Sequence, residues 1–84
     1  CEHASPMIPA ELADLGLGAD HRYDHIGWDI GAADVTTALS DRLRVPAVLS
    51  AVSRLVIDCN RGLDDHDLIP HESHGVVIPG NVAL

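Results

Sequence analysis

Leu55-Val56-Ile57 runs without a break into Asp58-Cys59-Asn60-Arg61. The apolar run reads as a strand, Arg54 to Asp58, and its polar exit restricts the chain to few architectures. An acid, an amide and a guanidinium at the end of a buried strand cost stability unless something uses them. At the carboxyl end of a strand in an α/β sheet, the usual user is a ligand. "AVLSAV", Ala47 to Val52, reads as a second strand just upstream. Before it comes the clearest helix, expected from about Ile30 to Arg44. Ala32, Val35, Leu39 and Leu43 recur at helical spacing and form one apolar stripe. Asp29 is a natural N-cap, Arg42 and Arg44 suit the negative end of the helix dipole, and Pro46 stops the helix. With a strand ahead of the helix, this order makes a βαβ crossover, and the fold class is α/β.

The flanking segments are less regular. "CEHASPMIP" reads as a loop broken by Pro6 and Pro9. A short helix is expected from Pro9 or Ala10, ended by Gly16 and Gly18. "ADHRYDHIGWD" is polar and rich in acids and histidines, and from Cys59 onward the chain reads as loop.

The 84 residues allow one small domain, marginal when alone. The sequence starts at Cys1 without an initiator Met and closes on the apolar Val82-Ala83-Leu84. The expectation is therefore that residues 1–84 form the N-terminal part of a single domain truncated at both ends. Isolated, it should fold poorly, with Val48, Leu55 and Ile57 uncovered on one face. The formal charge of −8 disfavours nucleic acid and anionic membranes as partners. No apolar run approaches the ~20 residues that span a bilayer. Cys1 and Cys59 are too few for a disulfide framework and read as reduced thiols of a cytoplasmic protein.

Several side-chain groups carry chemistry, each with a plainer reading beside it. Glu2 and His3 are zinc-ligand types at a strand exit, or simply surface residues. His21, Asp24, His25 and Asp29 cluster in sequence, and one helical turn would put His25 and Asp29 on one face; Asp29 serves equally as a cap. Trp28 reads as packing. Asn60 and Arg61 suit a carboxylate held bidentately, or a salt bridge from Arg61 to Asp58, Asp64 or Asp65. Arg54, at the start of the same run, fits either part. His66, His71 and His74 sit among Asp64, Asp65, Asp67 and Glu72 in what reads as a solvated acidic loop. Asn81, in "IPGN", either bonds locally or faces a cleft.

"CEHAS", "HIGWDIGAA", "SRLVIDCNR" and "HGVVIPGN" occur in that order, and together they resemble the N-formylglutamate amidohydrolase family over nearly the whole chain. The resemblance implies a zinc-carboxypeptidase-like fold, a mixed β-sheet flanked by helices with zinc at the strand ends. It implies that Asp58-Cys59-Asn60-Arg61 is the family's Asp-x-Asn-Arg motif, with Asn60 and Arg61 binding the substrate carboxylate, and that His3 is the first zinc ligand. The usual His-x-x-Glu is broken, because Pro6 stands three residues after His3. Asp29 is the first choice for the second ligand, Glu2 the second and His25 the third. The family's remaining zinc-binding His and general-base Glu fall downstream of position 84.

The function so implied is zinc-dependent hydrolysis of an N-acyl amino acid, such as N-formyl-L-glutamate to formate and L-glutamate. The partner is a small carboxylate-bearing substrate. The alternatives are a non-catalytic truncated fragment and a small metal-binding module without a complete active site.

Overall fold

The structure is a computed structural model and describes residues 1–82. Ala83 and Leu84 of the terminal apolar run lie outside the described residues. In chain order it has a 3₁₀ segment at Ala10–Gly16, helix α1 at Ala19–Arg22, helix α2 at Ala32–Leu43, strands β1 at Glu72–Ser73 and β2 at Val76–Val77, and helix α3 at Pro79–Val82. This is a mixture of helix and a small antiparallel sheet, in keeping with the α/β class.

Helix α2 forms where the periodicity places it, but Gly31 is its N-cap, at φ +87°. Asp29 stands two residues earlier, and its carboxylate meets His3 and Arg54 while no side chain caps the helix, which corrects the capping role expected of it. The helix closes on Arg44 in the left-handed region, whose amide donates to the Ser40 carbonyl. Among the described residues the apolar stripe is left largely uncovered: Val35, Leu39 and Leu43 are all more than half exposed.

Neither expected strand forms a ladder. At Arg54–Asp58 the backbone turns instead. The Ser53 carbonyl accepts from the Val56 amide at 3.0 Å, and Ser53 Oγ accepts from the Leu55 amide at 3.1 Å. Such local bonds compete with strand pairing for the same groups. Residues 47–50 keep a remnant of the expected crossover. The Cys1 amino group donates to the Val48 carbonyl at 2.7 Å, and the Ser50 amide donates to the Cys1 carbonyl at 2.9 Å. Bonds that straddle Leu49 in this way are the parallel pattern.

The segment after Cys59, expected to be loop, contains the one described sheet. Glu72 pairs with Val77 and Ser73 with Val76. His74 at φ +48° and Gly75 at φ +81° make the connection, and positive φ at both positions is the type I′ turn that matches strand twist. The 3₁₀ segment also departs from a plain helix, because Ala13, Asp14 and Leu15 take left-handed angles. Leu15 is thereby buried against α3, where a Cβ on Gly80 would lie 2.8 Å from Leu15 Cα.

The core is Ile8, Leu15, Ile26, Leu55 and Ile78. Asn81 is buried beside it, and its Nδ2 donates to the carbonyls of Leu55 at 2.7 Å and Pro70 at 2.8 Å. These partners lie 26 and 11 residues away, so Asn81 neither bonds locally nor faces a cleft; it fastens α3 to the turn that carries Arg54 and Asp58. Replacing Asn81 with Leu strands two buried carbonyls, each worth about 1–3 kcal/mol when left unpaired. The expected loss is about 2–5 kcal/mol in denaturant unfolding of the full-length protein; unchanged stability would show that Asn81 is not the fastening.

Candidate active site

Three segments distant in sequence meet at one rim. Residues 1–3 come first, and the Asp29 amide donates to the His3 carbonyl at 2.9 Å, which draws Asp29 beside His3. The buried Ser53 donates from Oγ to the Gly27 carbonyl at 2.7 Å, and the Arg54 amide donates to the same carbonyl at 3.3 Å. These bonds stitch the 25–29 loop to the turn at residues 53–58. That loop is a succession of turns, not a helix, so His25 and Asp29 do not share a helical face.

His3 is the centre of the rim. Its Nε2 lies 2.7 Å from Asp58 Oδ1, and its Nδ1 lies 3.2 Å from Asp29 Oδ2. Asp58 is nearly buried. Burial pushes its carboxyl pKa up, but hydrogen bonds from His3 and the Asn60 amide, with the charges of His3 and Arg61, outweigh burial and leave it below the usual value. An ionised Asp58 only accepts, so Nε2 carries the hydrogen in this pair.

Nδ1 then faces two partners of opposite character, because Arg54 Nη1 also approaches it, at 3.3 Å. A guanidinium only donates and a carboxylate oxygen only accepts. In the neutral tautomer with its hydrogen on Nε2, Nδ1 turns a lone pair toward the Asp29 oxygen, and the two sit comfortably only with a proton or a cation between them. Two such ligand atoms on one tetrahedral zinc stand ~3.4 Å apart, close to the 3.2 Å found here. A carboxylate holding the far nitrogen of a metal-binding imidazole is the usual outer support of such a site. His3 and Asp29 thus fit as metal ligands, with Asp58 as the support.

Asn60 and Arg61 lie on the turn that follows. The Asn60 amide donates to Asp58 Oδ1 at 2.9 Å, while its side chain faces solvent. Arg61 makes only loose ion pairs, Nε to Asp58 Oδ2 at 3.7 Å and Nη1 to Asp65 Oδ2 at 3.9 Å. It lines a cleft of about 150 Å³ with Arg54, Asp58, Asp67, Glu72 and His74.

The chain matches the family model for N-formylglutamate amidohydrolase over residues 1–84. It belongs to the N-formylglutamate amidohydrolase family. The crystal structure of gene product Atu2144 from Agrobacterium tumefaciens is similar, at 43% identity and a TM-score of 0.96. The alignment covers all of this chain and 33% of that one, so the chain spans about a third of that structure's length. No curated protein matches.

Within this N-formylglutamate amidohydrolase family member, His3, Asp29, Arg54 and Asp58 come together, with Asn60 and Arg61 on the adjoining turn. Glu2 does not join them: it is exposed and lines a separate groove with Cys1, Val48, Leu49, Ser50 and Cys59. His25 bonds to Asp24 through Nδ1 at 3.1 Å, and its ring meets that of His74 edge-on at 4.9 Å. Trp28 donates to the Tyr23 carbonyl at 3.1 Å. Cys1 and Cys59 are unpaired, and no helix among the described residues is long and apolar enough to cross a membrane. The part of Asp58 is hidden in the sequence: it stands there only as the Asp at the head of Asp-x-Asn-Arg, and nothing in the spacing ties it to His3.

Asp58 gives this geometry a pH signature. Its folded pKa lies below its unfolded one, which is ~3.9. Its stabilisation is therefore complete above that value and is lost as pH falls through the folded pKa. Asp58→Asn should melt lower than wild type at pH 7, and the gap should narrow as pH falls below about 4. A gap that stays constant on acidification would mean that the ionised carboxylate contributes nothing to the fold.

Proposed function

We propose that this chain carries part of the site of a zinc-dependent amidohydrolase, of zinc-carboxypeptidase-like fold, that cleaves an N-acyl amino acid. N-formyl-L-glutamate, giving formate and L-glutamate, is the substrate the family's description favours. The observation that carries the reading is His3 between two carboxylates, with Nδ1 and Asp29 Oδ2 at 3.2 Å on an accessible rim and Nε2 held by Asp58.

His3 Nδ1 and Asp29 would hold the ion, and a third protein ligand is needed. Among the described residues, Asp65, His66 and Asp67 alone bring three ligand-type atoms within 4.8 Å of one another, and His3 is not among them. The third ligand and the general base are therefore assigned to the part of the family's domain beyond this chain. When bound, zinc supplies a water of lowered pKa and polarises the acyl oxygen. Asp58 fixes the imidazole tautomer so that Nδ1 faces the ion. Arg61, with Asn60, receives the substrate's carboxylate and sets the amide beside the metal, converting binding into orientation. Water adds to the acyl carbon, the C–N bond breaks, and the amine leaves with a proton.

Two experiments on the full-length protein separate the parts. Asp29→Ala should purify without zinc and without activity, while Glu2→Ala keeps both; zinc retained in the first and lost in the second would transfer the ligand role to Glu2. Arg61→Lys should raise KM by a factor worth about 2 kcal/mol or more, because a point charge does not reproduce the bidentate fork. Its zinc content should be unchanged, and wild-type kinetics would remove Arg61 from the substrate site.

A further inference from the structure

The two arginines of the site are engaged very differently. Arg61 is about half exposed and makes ion pairs no shorter than 3.7 Å. The Arg54 side chain is 19% exposed. Its Nε donates to the Ile26 carbonyl at 2.9 Å and its Nη2 donates to the His25 carbonyl, so one edge of the guanidinium is committed to backbone. Its Nη1 lies 3.3 Å from Asp29 Oδ1 and also 3.3 Å from His3 Nδ1, so it braces both members of the pair. The other oxygen of the same carboxylate, Oδ2, is the one that faces His3 Nδ1.

We propose that Arg54 is a positioning residue for the metal site: it ties down Asp29 Oδ1 and the loop carbonyls beneath it, so that Oδ2 alone is presented beside His3 Nδ1. The inference rests on the zinc reading above. A carboxylate free to rotate would offer either oxygen or both. One held by a guanidinium that is itself anchored to two carbonyls has a single presentation. Arg61, free of short contacts, is left to meet substrate. Arg54 also lines the cleft, so the competing assignments are a substrate anchor and a contact to the reacting carbonyl, and each has a different kinetic signature.

The test measures zinc affinity of the full-length apo-protein by competition with a chelator, KM and kcat for N-formyl-L-glutamate at saturating zinc, and apo melting. Arg54→Gln should bind zinc about 10- to 100-fold more weakly, the usual effect of losing an outer support. With zinc restored, KM should stay within about twofold of wild type, and kcat should recover substantially. If Arg54→Gln does not fold, Arg54→Lys decides. It keeps one donor for Asp29 but loses the carbonyl clamp, so its zinc affinity should still fall with KM unmoved. Wild-type zinc affinity with a raised KM makes Arg54 a substrate anchor and overturns the proposal, as does wild-type affinity with only kcat lost. Failure of both variants to fold makes Arg54 a folding element and also overturns it. A wild-type protein that binds no zinc sinks the zinc reading itself, whereas a zinc-binding wild type with equally tight variants sinks only the inference about Arg54.

Discussion

The hydrogen bond between His3 Nε2 and Asp58 Oδ1, 2.7 Å long, is the interaction on which the rest of the site depends. It joins residues 55 positions apart and fixes which imidazole nitrogen faces outward. Asp58 is held in turn by its own neighbours. Its Oδ1 also accepts from the Asn60 amide, and its backbone amide donates to the Leu68 carbonyl at 2.8 Å. A carboxylate with this many donors stays ionised and stays put. From that point outward the geometry follows: Nδ1 on the rim, Asp29 beside it, and Arg54 behind Asp29. The same turn carries Arg61 toward the cleft, so the support of His3 and the proposed carboxylate anchor lie on one short segment.

What the sequence discloses and what it conceals divide along a physical line. Helix α2 is legible because a periodic apolar stripe with a Pro stop is local information. Asn60 and Arg61 stand out in the sequence because their side chains carry chemistry wherever the backbone goes, and Arg61 does line the cleft. The strands are not, because pairing depends on partners that a run of apolar residues does not reveal, and Ser53 offers the backbone at Arg54–Asp58 a local alternative. Asp29 shows a different ambiguity. An acid at a helix start suits a cap, and only the backbone bond to His3 shows that it faces the rim instead. The His74-Gly75 hairpin was within reach of turn rules, but a stretch so rich in His and Asp looks like loop before it looks like strand.

The exposed apolar stripe of α2, continued by Val45, Val48 and Leu49, sits on the opposite footing. The five buried aliphatic residues of the core hold the first turns, the 53–58 turn and the C-terminal helix together. They do not reach α2. The rim is therefore built on the part of the chain that packs against itself, and no residue of α2 belongs to that core.

The central claim, that His3 and Asp29 bind a metal, is tested most directly by anomalous diffraction at the zinc edge from crystals of the full-length protein. The account predicts one strong peak about 2.0–2.2 Å from both His3 Nδ1 and an Asp29 oxygen, with Asp58 still bonded to His3 Nε2. A peak at Asp65, His66 and Asp67, or none within bonding distance of His3, would contradict it.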